Sequence, residues 1–437
     1  MICFEKEISS SQGGCSRGSF SYSLKHVNIK RHTDQICRIH IDSKNKEIRG
    51  GFYMKSKKLT VEKIVEVCKG TLISGDKNTE LISYTKDTRE IKQGDIYLGI
   101  KGENTDGNDF IEKAFECGAM GCIIDKLPSS EVLEKYKDKI IIHVENTVTA
   151  IQQIAKYKRS LYDIPVVGIT GSVGKTSTKD MIAGVLGKKF DVLKTQGNYN
   201  NHIGLPLTIL ALRKHHTAMV LEMGMNNAGE ISVITDIGRP TICVYTTIGT
   251  AHIGNLGSRE NILKAKLEML EGITGEKAIV FNNDNDLLHT WFEEQQDYNN
   301  VTSYGLESES NYIATDIETL DTGSKFKVEI EGEECTVNVN IAGTGFVYNS
   351  LSAIAVGRIL DIETKDILEG ISNFELTHGR MQIEEVREEI TVINDSYNAS
   401  NDSTKAALEV LRKMLGNKKI AVLGDMFELR RIFAGTT

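Results

Sequence analysis

Val166-Val167-Gly168-Ile169-Thr170-Gly171-Ser172-Val173-Gly174-Lys175-Thr176-Ser177-Thr178 decides how the chain is read. After Pro165 a short apolar run has the character of a buried parallel strand, and a Gly/Ser turn then opens a helix near Thr176. Strand, glycine-rich loop and helix in that order make an anion cradle. Glycines let successive backbone N–H groups turn inward, the helix presents its positive end, and Lys175 adds a full charge. Gly171, Ser172, Gly174, Lys175, Thr176 and Ser177 are therefore candidate phosphate-binding residues, with the Thr176 hydroxyl placed to meet Mg²⁺. Ile169 stands where the usual G-x-x-x-x-G-K-[ST] pattern has its first glycine, so an ordinary Gly-rich turn is the plain alternative.

Outward from this loop, strands alternate with helical segments. Strands are expected at 190–194, 218–223 and 241–248, which argues for a doubly wound, mostly parallel sheet whose ligands collect at the carboxyl ends of its strands. Three polar residues fall at that edge. Glu222 closes an apolar strand and would hold Mg²⁺ directly or through water. His252 follows the strand ending near Ile248. Lys266 lies in the helix 259–271, where a surface salt bridge to Glu268 or Glu271 is the simplest reading.

Upstream, residues 59–143 read as a small α/β domain with a helix at 61–68, strands at 95–100, 121–124 and 140–144, and a helix at 110–117. Asp87-Thr88-Arg89 and the segment Lys101–Gly107 flank its first strand, either as solvated turns or as donors to a nucleotide diphosphate. Downstream, 326–341 alternates with period two about Gly332, predicting an antiparallel hairpin, and a helix is expected at 347–360. After Phe374, a strand at 390–394, a helix to about Leu415 and a strand at 420–423 would open a second βαβ unit.

The 437 residues suffice for two or three domains, and 40% hydrophobic with 26% charged residues is the composition of a globular chain. A net charge of −8 argues against nonspecific nucleic-acid binding, and no apolar run approaches the ~20 residues needed to span a bilayer. Eight cysteines without a C-x-x-C pair fit reduced thiols in a cytoplasmic protein. Residues 1–53 carry nine Lys or Arg against five Asp or Glu, unlike the rest. They read as translated upstream sequence or a disordered tail, with a small ordered subdomain as the alternative.

Gly197-Asn-Tyr-Asn200-Asn201-His-Ile-Gly-Leu-Pro-Leu-Thr208, followed by Glu222-Met-Gly-Met-Asn-Asn-Ala-Gly-Glu230, resembles the Mur ligases of bacterial cell-wall synthesis. These ATP-dependent enzymes extend a UDP-linked muramoyl peptide. The Asn-Asn run points to the branch that joins D-alanyl-D-alanine to UDP-N-acetylmuramoyl-tripeptide. The sister ligase that adds the third amino acid shares the phosphate loop but not this run.

The resemblance, from about Met54 to Glu428, implies an N-terminal UDP-sugar domain at 54–146, with Asp87, Thr88, Arg89, Gly102, Asn104, Asp106 and Gly107 as substrate contacts. It implies a central P-loop domain at 147–377, with Asn200 and Asn201 also facing substrate. A third domain of Rossmann-like βαβ type would begin at 378. Lys266, in Ala-Lys-x-Glu, would be carbamylated and would hold a second Mg²⁺ beside His252. Asn349 would face adenine, Arg380 would reach the ATP phosphates, and Asp395, Tyr397 and Asn398 would line the nucleotide. Lys175, Lys266, His252 and Arg380 would be the catalytic set of a monomeric enzyme. Gly345-Phe346 replaces a common His-Asn pair, and Arg430–Thr437 departs from the family pattern. The chain is thus expected to stop inside its third domain, with a nucleotide-binding fragment lacking turnover as the alternative.

Overall fold

The computed structural model describes residues 58–271, 278–295, 298–320, 322–387, 390–416 and 418–426. The expectations for 1–53 and for Arg430–Thr437 lie outside the described residues.

In the central sheet, consecutive residues of each strand face different cores. It contains β6 (Val166–Thr170), β7 (Val192–Lys194), β8 (Ala218–Glu222), β9 (Ile242–Tyr245), β10 (Ala278–Asn282), β11 (Val301–Gly305) and β12 (Tyr312–Ile313). Their order is β12-β11-β10-β9-β6-β8-β7, and every pairing is parallel. Val166, Met219, Leu221, Cys243, Tyr245, Ile279 and Phe281 point to one core. Val167, Ile169, Val220, Ile242, Val244 and Val280 point to the other. Burial on both faces is why these strands read as unbroken apolar runs.

The second core is closed by α5 (Lys175–Leu186), α11 (Thr344–Ile359) and α12 (Thr364–Ser372). The first is closed by α4 (Thr147–Ser160), α6 (Gly204–Leu210), α7 (Glu230–Gly238), α9 (Arg259–Leu267) and α10 (Asp286–Glu294); the four-residue α8 (Ile253–Leu256) precedes α9.

That first core continues without a break into the N-terminal sheet, through Ile151 and Ile154 of α4 to Ile96, Leu98 and Ile142. The sheet consists of β1 (Thr71–Ser74), β2 (Tyr84–Thr85), β3 (Ile96–Gly99), β4 (Gly121–Ile124) and β5 (Ile140–His143), in the order β1-β5-β4-β3-β2. Only β1 runs antiparallel. Helices α1 (Val61–Cys68), α2 (Ile111–Glu116) and α3 (Ser130–Lys135) accompany it.

The expected hairpin is present as β14 (Gly323–Ile330) and β15 (Glu333–Val339), with β13 (Thr315–Leu320) added on its open edge. Glu331 and Gly332, both at positive φ (55° and 82°), form its two-residue turn. Beyond it, β16 (Gln382–Arg387) and β17 (Ile390–Asn394) pair antiparallel and lead into α13 (Asn401–Lys413). The strand expected at 420–423 does not form. Ile420, Val422 and Leu423 are exposed, and no described strand lies beside them to supply a hydrogen-bonding ladder. Among the described residues no helix is long and apolar enough to cross a membrane.

Candidate active site

The chain leaves β6 at the point where the strand order reverses, with β8 on one side and β9 on the other. This switch point opens a crevice at the carboxyl edge of the sheet. Ser172 N donates to Thr247 O at 2.6 Å, and Thr246 Oγ1 donates to Val173 O at 2.6 Å, so the loop after β9 holds the glycine loop in place. Gly174, at φ 88°, turns the backbone into α5.

Three basic side chains converge there. Lys175 Nζ donates to Gly171 O at 2.8 Å. Lys266 Nζ donates to the same carbonyl at 2.9 Å from α9. Arg380 Nη2 donates to Thr176 Oγ1 at 3.3 Å, and its guanidinium stacks 4.3 Å from the centre of the Tyr397 ring. Lys266 is 1% exposed rather than on a helix surface, and burial, with the Lys175 charge beside it, pushes its pKa far down. The surface salt bridge is thereby excluded: Glu268 instead accepts from Gly229 N and Ser232 N.

Glu222 is also buried, at 3% exposure. Its backbone N–H donates to Thr195 Oγ1, and its Oε1 accepts from Asn200 Nδ2 at 2.8 Å. Its Oε2 has no hydrogen-bond partner, nor have Thr170 Oγ1, Ser172 Oγ and Arg380 Nε. Four buried polar atoms without partners around one loop fit a polar, anionic ligand carrying a hard cation. The oxygen donors Thr176 and Glu222 suit Mg²⁺, which takes few protein ligands and relies on phosphate and water for the rest.

The remaining candidates divide. Asn349 Oδ1 accepts from Thr178 Oγ1 at 2.9 Å, which ties α11 to α5 directly beneath the loop. Asp395 accepts from Met381 N at 3.1 Å, and burial raises its pKa. Asn398 is exposed on the same turn. Asn201, exposed, uses its Oδ1 to accept from Ile203 N and Gly204 N, opening α6. His252 heads α8 at φ 65°, in the loop after β9. Ser177 follows Thr176 in the first turn of α5.

In the N-terminal sheet, parallel β2 and β3 bring Asp87–Arg89 and Gly102–Gly107 to one edge. There Arg89 pairs with both Asp87 oxygens, and its hydrogen bonds hold the Asp87 carboxyl down at about 2. Thr88 lies between them, Gly102 and Asn104 are exposed, and Asp106 accepts from Asn108 N and Nδ2. Lys86 lies 5.5 Å from the centre of the Tyr199 ring, joining this edge to the Asn200 turn.

Sequence comparison gives three family matches: the Mur ligase family catalytic domain at residues 83–159, the Mur ligase middle domain at 169–357, and the Mur ligase glutamate ligase domain at 379–436. The UDP-N-acetylmuramoyl-tripeptide–D-alanyl-D-alanine ligase of Bacillus subtilis is 38% identical over 374 residues, covering 85% of this chain and 79% of that protein. The chain belongs to the Mur ligase family.

Solved Mur ligases share its architecture. MurF from Acinetobacter baumannii superposes with a TM-score of 0.77 at 29% identity, covering 85% of this chain and 80% of that one. MurF from Thermotoga maritima in complex with ADP gives 0.69 at 28% identity, covering 79% and 78%. This Mur ligase also uses residues that the motifs did not indicate. Thr246 and Thr247 brace the glycine loop, and buried Asp180 on α5 accepts from Thr377, three residues before Arg380. Their sequence signal was weak, since each acts only through partners distant along the chain.

Proposed function

We propose that this Mur ligase joins D-alanyl-D-alanine to UDP-N-acetylmuramoyl-tripeptide in the cytoplasm, converting ATP to ADP and phosphate. The convergence of Lys175, Lys266 and Arg380 on one glycine loop, beside the unpartnered carboxylate oxygen of Glu222, carries this reading. The kinship with UDP-N-acetylmuramoyl-tripeptide–D-alanyl-D-alanine ligases supports the choice of substrates.

The precursor's terminal carboxylate attacks the γ-phosphorus, the bond to the β-phosphate oxygen breaks, and an acyl phosphate forms as ADP leaves. Lys175 and Arg380 balance charge that spreads over the transferring group, and loop N–H groups hold its oxygens. The amine of D-alanyl-D-alanine then attacks the acyl carbon, loses a proton and expels phosphate. Thr176 and Glu222 would hold Mg²⁺, which when bound neutralises phosphate charge. Burial disfavours the ammonium form of Lys266; as a free amine it would take up CO₂ as a carbamate, releasing one proton, and present an anionic oxygen to a cation. At the N-terminal edge, Asp87–Arg89 and Gly102–Gly107 would receive the UDP-sugar, whose peptide extends past Tyr199 toward the loop.

The test is phosphate release from ATP by the full chain with the UDP-tripeptide, with and without D-alanyl-D-alanine. Release that requires the dipeptide, matched by product of the summed mass less water, is the expected result. Lys175→Ala should lower it by about 10²-fold or more, the scale seen when a charge-stabilising group is lost. ATP binding with no release under any of these conditions would overturn turnover and leave nucleotide binding alone.

A further inference from the structure

Helix α5 touches the phosphate site at one end and the start of the C-terminal segment along its middle. Thr176 and Asp180 are four residues apart and therefore share one face of the helix. Asp180 is 1% exposed. Its Oδ1 accepts from Lys194 Nζ at 2.8 Å and lies 3.3 Å from Lys179 Nζ. Its Oδ2 accepts from Thr377 twice, from the backbone N at 3.0 Å and from Oγ1 at 2.7 Å.

One turn further on, the chain before Thr377 is pressed onto the same helix. A Cβ at Gly184 would lie 2.9 Å from Phe374 Cβ, and a Cβ at Gly370 would lie 2.6 Å from Val185 Cα. After Thr377 the backbone turns at Gly379, φ 76°, and Arg380 returns to Thr176 at 3.3 Å. The four-residue span 377–380 is thus tied at both ends to one face of one helix.

We propose that Asp180 is a positioning residue: by clamping Thr377 it fixes where the C-terminal segment leaves α5, and so delivers Arg380 to the phosphate end of that helix. The two lysines hold the carboxylate ionised in its buried place, and the two Thr377 donors use its second oxygen. A rigid helix carries the spacing between clamp and loop, so the segment bearing Arg380 starts from a fixed place relative to Thr176 and less backbone freedom is lost when the guanidinium reaches the loop. This inference rests on the reading of Arg380 as a phosphate contact.

Removing Asp180 would take the carboxylate from buried Lys179 and from half-buried Lys194, so the discriminating variant is Thr377→Val, which deletes one donor and leaves the carboxylate paired. Affinity for ATPγS, measured by calorimetry on the full chain, should fall roughly 3- to 10-fold in Thr377→Val, the net worth of one ordinary hydrogen bond. Thr377→Ser should restore it. In an Arg380→Ala background, which itself binds more weakly, Thr377→Val should cause no further loss, because the clamp acts only through Arg380. The melting temperature of each variant checks that the chain remains folded. An equal loss in both backgrounds, or no loss in Thr377→Val, would overturn the clamp while leaving the role of Arg380 intact. Unchanged affinity in Arg380→Ala would overturn that role, and the clamp with it.

Discussion

Gly171 occupies the tightest point of the phosphate site. A Cβ there would fall 1.9 Å from Thr246 Oγ1, and its φ of 155° lies in a region that side chains rarely adopt. The contact cannot be relieved locally, because Thr246 Oγ1 is committed to Val173 O on the same loop. Gly171→Ala should therefore destabilise the fold by about 1–3 kcal/mol, the usual cost of forcing an atom into a packed site. It should also abolish measurable ATP binding, since the displaced carbonyl is the one that both Lys175 and Lys266 hold. Urea unfolding together with calorimetry would check both. The motif identified this glycine, but its reason was not legible: Thr246 lies 75 residues later in the sequence and reaches the loop only through the pairing of β6 with β9. Lys266 teaches the same lesson in reverse. Its neighbours in sequence, Glu268 and Glu271, suggested a surface ion pair, whereas the packing of α9 against the sheet turns it inward.

At the scale of elements, what could be read depended on how local each element's cause was. The β14–β15 hairpin was legible because strict alternation and one glycine specify it, and the parallel strands were legible because both their faces are buried. Residues 420–423 have the composition of such a strand, but composition does not supply a neighbour. The Asn200–Asn201 turn shows the limit most clearly. Two adjacent asparagines with the same expected role do different work: Asn201 opens α6, and Asn200 crosses to the end of β8 to hold Glu222. Asn200→Ala would leave Glu222, 3% exposed, with neither carboxylate oxygen satisfied by a side chain. The expected cost is about 1–3 kcal/mol, the penalty for orphaning a buried polar group. Thermal unfolding without nucleotide would measure it. Saturating Mg²⁺-ATP should recover part of the loss, because a ligand that binds only the folded chain adds stability by mass action.

Across the whole molecule, the N-terminal and central sheets share one apolar core, and α4 is the element that belongs to both. This helix carries a lysine into that core. Lys158 is 5% exposed and donates to Leu210 O, the last carbonyl of α6, at 2.6 Å. Burial, with the Arg213 charge added and Glu80 opposing it, pushes its pKa down to about 7. In the unfolded chain a lysine titrates near 10.4. Between these values the unfolded state holds one more proton than the folded state, so stability rises as pH increases through that window. Below about pH 7 both states are protonated, and the cost of the buried ammonium is present in full. Unfolding free energy should therefore climb from pH 7 to pH 9 by about 1 kcal/mol per unit more than in Lys158→Met, whose side chain has similar length and no charge. Urea titrations of both chains at pH 7, 8 and 9 would test this. Parallel slopes would mean that α6 holds Lys158 charged, with the C-terminal end of that helix compensating for burial.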